Sequence, residues 1–193
     1  LGGLGIYTLT ARYGKIMALS LAFIFLMTPY QFLNIFVRGA LGEIVAIGLM
    51  PWVLVSFDSL FKNPKKSLNW YHPLPLALVL ISHNFLGILF AVFVVGLILV
   101  NNTQRKAGLL SLAISLCLAA FFLVPMITQR HLLYSFDNQD LTFSYDQHFA
   151  TFKQLLYSRW DYWYTLPGDN DGMSFQLGIA QIIIAILGSG YIL

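Results

Sequence analysis

The chain has 193 residues, of which 58% are hydrophobic and only 10% charged, and its formal net charge is +3. Soluble domains carry about 25% charged residues, so this composition, with a mean hydropathy of +0.73, excludes a soluble globular domain and predicts an integral membrane protein. The single cysteine, Cys117, excludes a disulfide within the chain and a cysteine metal site.

The start of the chain indicates a piece of a longer protein. It begins at Leu1 rather than at methionine, and residues 1–15 are typical of the end of an earlier span followed by a basic turn. A first span is predicted over residues 16–30, where Pro29 ends or kinks the helix. The stretch from Tyr30 to Glu43 then links it to a second span over residues 44–60.

A polar triplet, Ser82-His83-Asn84, interrupts the otherwise apolar run of residues 74–100. Length alone allows one tilted helix or a hairpin that turns at the triplet. The loops on both sides of the run are basic, and short basic loops stay on the cytoplasmic side of a membrane. An even number of crossings is therefore favoured, and two spans are predicted over residues 68–82 and 85–100.

Residues 107–127 are uncharged and long enough to cross once more, and a final apolar run over residues 177–193 predicts a sixth span. A polar and aromatic loop over residues 128–175 lies between them on the extracytoplasmic side. The sequence thus predicts an all-α polytopic transmembrane helix bundle of about six spans. Residues 1–193 form part of one membrane domain, with both ends on the cytoplasmic side.

The distribution of charge agrees with this predicted topology. The inner side carries seven basic residues and one acidic residue, whereas the outer side carries four basic and seven acidic residues. The positive net charge is therefore explained by the preference of basic residues for the cytoplasmic side. It indicates no nucleic-acid partner.

Arg38 and Glu43 are the two ionisable residues between the first two uncharged runs, and ionisable groups at or inside a membrane are costly. Two interpretations stay open. Arg38 can reach lipid phosphates while Glu43 accepts hydrogen bonds from a neighbouring helix. In the functional interpretation, Glu43 serves as a base or metal ligand and Arg38 binds a phosphate group through both guanidinium arms.

The polar triplet at the hairpin also has two interpretations. His83 and its neighbours can satisfy exposed backbone groups of the turn, or His83 can donate to an anionic leaving group or take up a proton. The predicted topology brings polar residues from several segments to the outer face, as in a site built between helices. These residues are Tyr30, Arg38, Glu43, His83, Asn84, Arg130 and His131.

The outer loop contains two further candidate sites. The run of residues 168–172, G-D-N-D-G, begins like a calcium loop but lacks the later glutamate. It is either a plain turn or a place where Asp169 and Asp171 share a divalent ion such as Mg²⁺ or Mn²⁺. The aromatic run from Trp160 to Tyr164 is either an interface anchor or a platform for a sugar ring.

Three sequence elements together resemble a known family. They are P-Y-Q-F-L-N-I-F-V-R-G-A-L-G-E at residues 29–43, L-I-S-H-N at residues 80–84 and M-S-F-Q-L-G at residues 173–178. The chain resembles large bacterial multispanning proteins with a GT-C-like architecture, which often carry the name 6-pyruvoyl-tetrahydropterin synthase-related membrane domain. The residues that match recurring family positions are Arg38, Glu43, His83 and Asn84.

The resemblance implies a membrane glycosyltransferase of the GT-C type in the bacterial inner membrane. Its expected partners are membrane lipid and a polyprenyl-phosphate sugar donor at the extracytoplasmic face, and a divalent metal held by loop aspartates would assist the leaving phosphate. Glu43 and His83 are the expected catalytic residues. The expected substrate-binding residues are Tyr30, Arg38, Asn84, Arg130 and Trp160. The alternatives are a transporter or flippase that makes no bond, and a structural scaffold.

Overall fold

A computed structural model describes residues 1–62, 68–101, 103–132, 149–161, 163, 166 and 172–192, with the side chains of residues 130 and 189–192 left aside. Helices form the regular structure of this part of the chain, and no strand is present in it, so the all-α prediction is confirmed. The main helices are α1 (Gly2–Thr10), α2 (Lys15–Leu26), α3 (Pro29–Leu33), α4 (Leu41–Lys62), α5 (Leu74–Ser82), α6 (Asn84–Val100), α7 (Arg105–Thr128), α8 (Phe152–Leu156) and α9 (Ile179–Ile192).

The chain divides into two compact units. Unit 1 comprises Leu1–Ala22 and Gly42–Leu132, and unit 2 comprises Phe23–Leu41 and Leu133–Leu193. Unit 1 therefore holds α1, α4, α5, α6 and α7, whereas unit 2 holds α3, α8 and α9.

Two helices of the described chain, α4 and α7, are individually long and apolar enough to cross a membrane. A third crossing is formed if α2 and the helical segment Pro29–Arg38, bent by 43°, count as one span. The helices α5, α6 and α9 have 9, 17 and 14 residues. At about 1.5 Å per residue each is shorter than a hydrocarbon core of roughly 30 Å. The prediction of about six spans is therefore not confirmed.

The core of unit 1 forms around the short helix α5. Leu76, Val79 and Leu80 of α5 are completely buried. They belong to one apolar cluster with side chains of α4, α6 and α7: Ala46, Val53, Phe57, Val94, Ile98 and Ala119. Helix α6 approaches α5 so closely that a β-carbon added at Gly87 would stand 2.6 Å from the α-carbon of Leu80. The predicted hairpin is thus present, with its turn at His83.

Helix α5 starts later than the predicted span of residues 68–82, because the chain before Leu74 forms a turn. Two buried hydroxyls hold this turn: Ser56 Oγ donates to the carbonyl of His72 (2.7 Å) and Ser115 Oγ to that of Pro73 (2.8 Å). Ser115 lies ten residues into α7, about 15 Å along the helix. Irregular backbone at such depth is tolerated because protein groups satisfy its carbonyls.

Charged residues mark one end of unit 1. The carboxylate of Asp58 pairs with Arg12 (3.2 Å) and with Lys62 (2.7 Å), all three of them partly exposed. These residues lie at the C-terminal end of α4, which the sequence assigns to the inner side. Glu43 lies nineteen residues before Lys62 on the same helix, a separation of about 28 Å. The two ends of α4 are therefore about one hydrocarbon thickness apart.

The predicted linking stretch after residue 29 is helical in unit 2. Helix α2 ends at Leu26, Pro29 occupies the first turn of α3, and a π-helical turn, Asn34–Arg38, follows. Thr28 Oγ1 and Gln31 Nε2 both donate to the carbonyl of Phe25, at 2.8 and 2.7 Å, which satisfies the end of α2. The break predicted at Pro29 is present, and the chain after it is a second helix rather than an interfacial loop.

Candidate functional site

Glu43 is a buried carboxylate at the start of the long helix α4. It is 5% exposed and lies in the first turn of the helix. The N-terminal end of a helix favours a negative charge, because its first N–H groups have no carbonyl partners within the helix. An acidic side chain is therefore well placed in this first turn of α4.

His83 lies at the same end of unit 1 as Glu43. Gly42 packs directly against the carbonyl oxygen of Ser82, and a β-carbon at Gly42 would collide with that oxygen. Glu43 follows Gly42 in the chain, and His83 follows Ser82. The start of α4 and the turn between α5 and α6 thus bring a carboxylate and an imidazole to one end of the unit, opposite to the end that holds Asp58.

The His83 ring has a defined orientation. Its backbone is extended, between the last residue of α5 and the first of α6, and Nδ1 accepts a hydrogen bond from the N–H of Leu86 (3.2 Å). Because Nδ1 is the acceptor, the neutral ring carries its proton on Nε2. Nε2 is then the atom that can donate to an anionic group.

Asn84 stabilises the hairpin and links it to α7. Its Nδ2 contacts Met126 Sδ at 3.0 Å, and its Oδ1 accepts from the N–H of Phe85 at 2.8 Å. Arg130 follows α7 in a short helical turn, Arg130–Leu132, and its side chain lies outside the described set. Unit 1 therefore brings Glu43, His83 and Asn84 to one end, with the backbone of Arg130 just after the end of α7.

Arg38 belongs to a second polar cluster, in unit 2. Its Nη1 donates to Tyr30 Oη (2.9 Å) and to Asn34 Oδ1 (2.8 Å), and its guanidinium lies 6.0 Å from the centre of the Tyr30 ring. The structure thus brings together two of the predicted substrate-binding residues, Tyr30 and Arg38. The two hydrogen bonds from Nη1 fix the orientation of this exposed guanidinium.

Asn34 is a residue of this cluster that the sequence did not single out. It is completely buried, and its Nδ2 donates to no other group of the described chain. It also begins the π-helical turn that ends at Gly39, whose φ of 58° lies in the left-handed region. Single π turns are frequent at functional sites. The signal available in the sequence was the glycine after Arg38, which marks the end of a helix.

Trp160 lies in unit 2, where its ring meets Phe32 edge to face at 6.1 Å between centroids. It is 47% exposed and lines a cavity of about 330 Å³. Gln176 lines the same cavity and is 6% exposed, and its Nε2 has no hydrogen-bond partner in the part of the chain that the structure describes. The prediction of a binding role for Trp160 therefore stays a prediction, with an aromatic contact and a cavity in its support.

One cavity of unit 2 is lined by several charged residues, and we call it the loop cavity. Its volume is about 550 Å³. It lies within the predicted extracytoplasmic loop and is lined by Thr151, Lys153, Gln154, Tyr157, Ser158, Arg159, Asp161, Trp163, Leu166, Gly172 and Met173. The sequence carries no signal for this cavity, because charged and aromatic residues are ordinary in an exposed loop.

The metal prediction lies outside the described residues, since Asp169 and Asp171 are not among them. Within the described ranges, no group of three or more His, Cys, Asp or Glu side chains is placed to hold a metal ion. Asp161 is the acidic residue among the described lining of the loop cavity. A single carboxylate does not make a divalent-cation site, so no chemical step is derived through a metal.

Comparison with known proteins gives one result. A sequence model of the family described as "6-pyruvoyl-tetrahydropterin synthase related domain; membrane protein" matches residues 1–192. No curated protein and no solved structure matches the chain. The match covers nearly the whole chain and agrees with its apolar helices, so an integral membrane protein is shown.

Proposed function

The chain belongs to the family of 6-pyruvoyl-tetrahydropterin synthase-related membrane proteins, and from this premise we propose that it is a GT-C-type glycosyltransferase. In this proposal it takes a sugar from a polyprenyl-phosphate carrier at the extracytoplasmic face of the bacterial inner membrane. The observation that carries the proposal is the placement of Glu43 and His83 at one end of unit 1, where Gly42 meets Ser82. The length of α4 separates that end from the end of unit 1 that holds Arg12, Asp58 and Lys62.

The proposed chemistry assigns one role to each of these residues. An acceptor hydroxyl attacks the anomeric carbon of the donor, the bond from that carbon to the phosphate oxygen breaks, and the hydroxyl proton passes to the carboxylate of Glu43. The departing phosphate gains negative charge. A donor aimed at the oxygen that carries this charge lowers the barrier. His83 Nε2 has this role, because Nδ1 is already engaged by Leu86.

Arg38 is proposed to bind a phosphate group. Tyr30 and Asn34 both contact its Nη1, and a guanidinium held in place binds phosphate oxygens with two parallel hydrogen bonds. A guanidinium fixed in this way, beside a phenol hydroxyl, supports an anionic ligand.

Six crossings remain part of the proposal. The short helices α5, α6 and α9 would then cross together with flanking residues, which for α5 are those of the turn that Ser56 and Ser115 hold. Both ends of the chain would lie on the cytoplasmic side, with Arg12, Asp58 and Lys62 near that surface.

Transfer of label from radiolabelled polyprenyl-phosphate sugars, by the full protein in nanodiscs, tests the proposal. We expect Glu43→Gln to lower the transfer rate by about 10²- to 10⁴-fold, the usual contribution of a general base. Asp58→Asn is the matched control, since it neutralises a carboxylate at the other end of α4, and we expect it to keep transfer. Wild-type transfer by Glu43→Gln would remove Glu43 from the reaction. Movement of the lipid across the bilayer without transfer would favour a flippase.

Arg38→Lys gives a second test in the same assay. Lysine keeps the positive charge but loses the planar fork that contacts a phosphate at two points. We expect kcat/KM for the donor to fall by about tenfold or more, the loss of one charged hydrogen bond. Arg12→Lys is the matched control, because Arg12 bonds Asp58 instead. Equal kcat/KM values for the two variants would exclude a phosphate-binding role for Arg38.

A further inference from the structure

The walls of the loop cavity are held by hydrogen bonds between segments that are distant in the chain. Ser158 Oγ accepts from the N–H groups of Phe175 (2.8 Å) and Gln176 (3.1 Å). The N–H of Trp163 donates to the carbonyl of Gly172 (3.0 Å), and that of Leu177 to Leu155 (2.9 Å). A reciprocal cap between Thr151 and Gln154 starts α8 at the rim. These bonds give the cavity a defined shape.

The described lining residues carry a positive excess. Lys153 and Arg159 contribute two cations, and Asp161 contributes one carboxylate. Lys153 and Arg159 are both exposed. These two cations can bind an anionic group through charge-assisted hydrogen bonds, whereas the carboxylate of Asp161 can accept hydrogen bonds from hydroxyl groups of the same ligand.

Two aromatic side chains complete the lining. Tyr157 and Trp163 are 68% and 58% exposed, so each presents a large apolar surface at the cavity. An exposed aromatic ring beside charged groups suits a ligand with an apolar face and a polar edge. A pyranose ring has this character, because its C–H groups form the face and its hydroxyls form the edge. The volume of about 550 Å³ lies within the range of small-molecule sites.

We propose that the loop cavity binds a saccharide that carries an anionic group, a carboxylate or a phosphate. Lys153 and Arg159 bind the anion, Trp163 and Tyr157 pack against the ring, and Asp161 accepts from ring hydroxyls. The assignment rests on the proposed function only where this saccharide is taken to be the sugar acceptor. Binding itself is measured without any transfer.

Ligand-observed NMR with the full protein in nanodiscs tests the proposal, with glucuronate, glucose 6-phosphate, glucose and inorganic phosphate as probes. We expect the two anionic sugars to bind about tenfold or more tightly than glucose, since hydrogen bonds to charged groups are the stronger ones. Inorganic phosphate should bind more weakly than glucose 6-phosphate, because it lacks the ring. Equal affinity for glucose and glucuronate would overturn the anionic part of the proposal, and equal affinity for the two phosphates would overturn the saccharide part.

Variants separate the contributions of charge and ring. Arg159→Gln and Lys153→Gln should each weaken glucuronate binding by about tenfold and leave glucose binding unchanged. Trp163→Ala should weaken the binding of all three sugars. Asp161→Asn should tighten the binding of the two anionic sugars, because it removes a like charge. Lys106→Gln and Trp70→Ala, at exposed positions of unit 1, are matched controls. Unchanged sugar selectivity in Arg159→Gln, with unfolding as in the wild type, would overturn the site.

The two proposals fail in different ways. Saccharide binding that follows these variants, together with no transfer from any polyprenyl-linked sugar, would remove the glycosyltransferase and leave the cavity as a binding site. Sugar transfer that depends on Glu43, together with no binding of the anionic sugars, would remove the cavity and leave the transferase.

Discussion

Single polar side chains inside the apolar helices serve distinct purposes, and their hydrogen bonds separate them. Ser56 and Ser115 donate to carbonyls of the turn before α5 and so satisfy buried backbone groups. Glu43, His83 and Arg38 lie instead at the ends of helical segments. The structural hydroxyls therefore explain how the fold tolerates irregular backbone, whereas the ionisable residues remain candidates for chemistry.

A pair of serines on α7 allows a test at this scale. Ser111 and Ser115 are one helical turn apart and fully buried, but Ser115 Oγ reaches the carbonyl of Pro73 while Ser111 Oγ has no hydrogen-bond partner among the described residues. Ser115→Ala should lower the free energy of unfolding by about 1 kcal/mol, the usual worth of a hydrogen bond between membrane helices. Ser111→Ala should keep or raise it, because a buried hydroxyl without a partner is costly. Unfolding in a denaturing detergent measures both, and equal losses would contradict the assignment of the two hydroxyls.

At the scale of elements, the hairpin of α5 and α6 depends on one glycine. Gly87→Ala would place a methyl 2.6 Å from the α-carbon of Leu80, so the two helices must separate. We expect a loss of about 1 to 3 kcal/mol in the free energy of unfolding, as for other overpacked contacts. Gly96→Ala, on the same helix, meets nothing within 4 Å. It should be neutral or stabilise α6 by up to about 1 kcal/mol, since alanine is the better helix former. Similar effects of the two substitutions would contradict the close packing at Gly87.

The sequence predicted some elements well because their limits are polar. The predicted spans at residues 44–60, 85–100 and 107–127 lie within α4, α6 and α7, since each is a mainly apolar run between polar residues. The start of α5 differs from the prediction because hydropathy indicates which residues lie near a membrane but does not record whether their backbone is helical. The π-helical turn at Asn34 was missed because its residues also suit an α-helix or an interfacial linker.

The candidate site residues that the sequence reveals are those whose charge is unusual for their surroundings. Glu43, Arg38 and His83 were visible because ionisable groups are rare within or beside apolar runs. Asn34 is neutral and carries no such signal. Lys153, Arg159 and Asp161 lie in a polar loop, where charges are expected, so only the structure shows that they share a cavity.

At the scale of the whole molecule, the proposed function depends on which side of the membrane each end of unit 1 faces. Basic residues concentrate toward the cytoplasm, and Lys106 lies at the start of α7, whereas His131 follows its end. A helix of 24 residues is about 36 Å long, enough to separate the two positions by a bilayer. The exposed Cys117 on the same helix has to be replaced before new cysteines are introduced for labelling.

We therefore expect opposite accessibility of two cysteines in a Cys117→Ser background. His131→Cys should react with a membrane-impermeant maleimide in intact spheroplasts. Lys106→Cys should react only after the membrane is opened, because the proposed topology places residue 106 on the cytoplasmic side. Both residues are exposed on the protein, so burial within it does not limit the reaction. Reaction of both cysteines from the same side would mean that α7 does not cross. Inverted accessibility would place Glu43 and His83 at the cytoplasmic surface, where an extracytoplasmic sugar transfer could not use them.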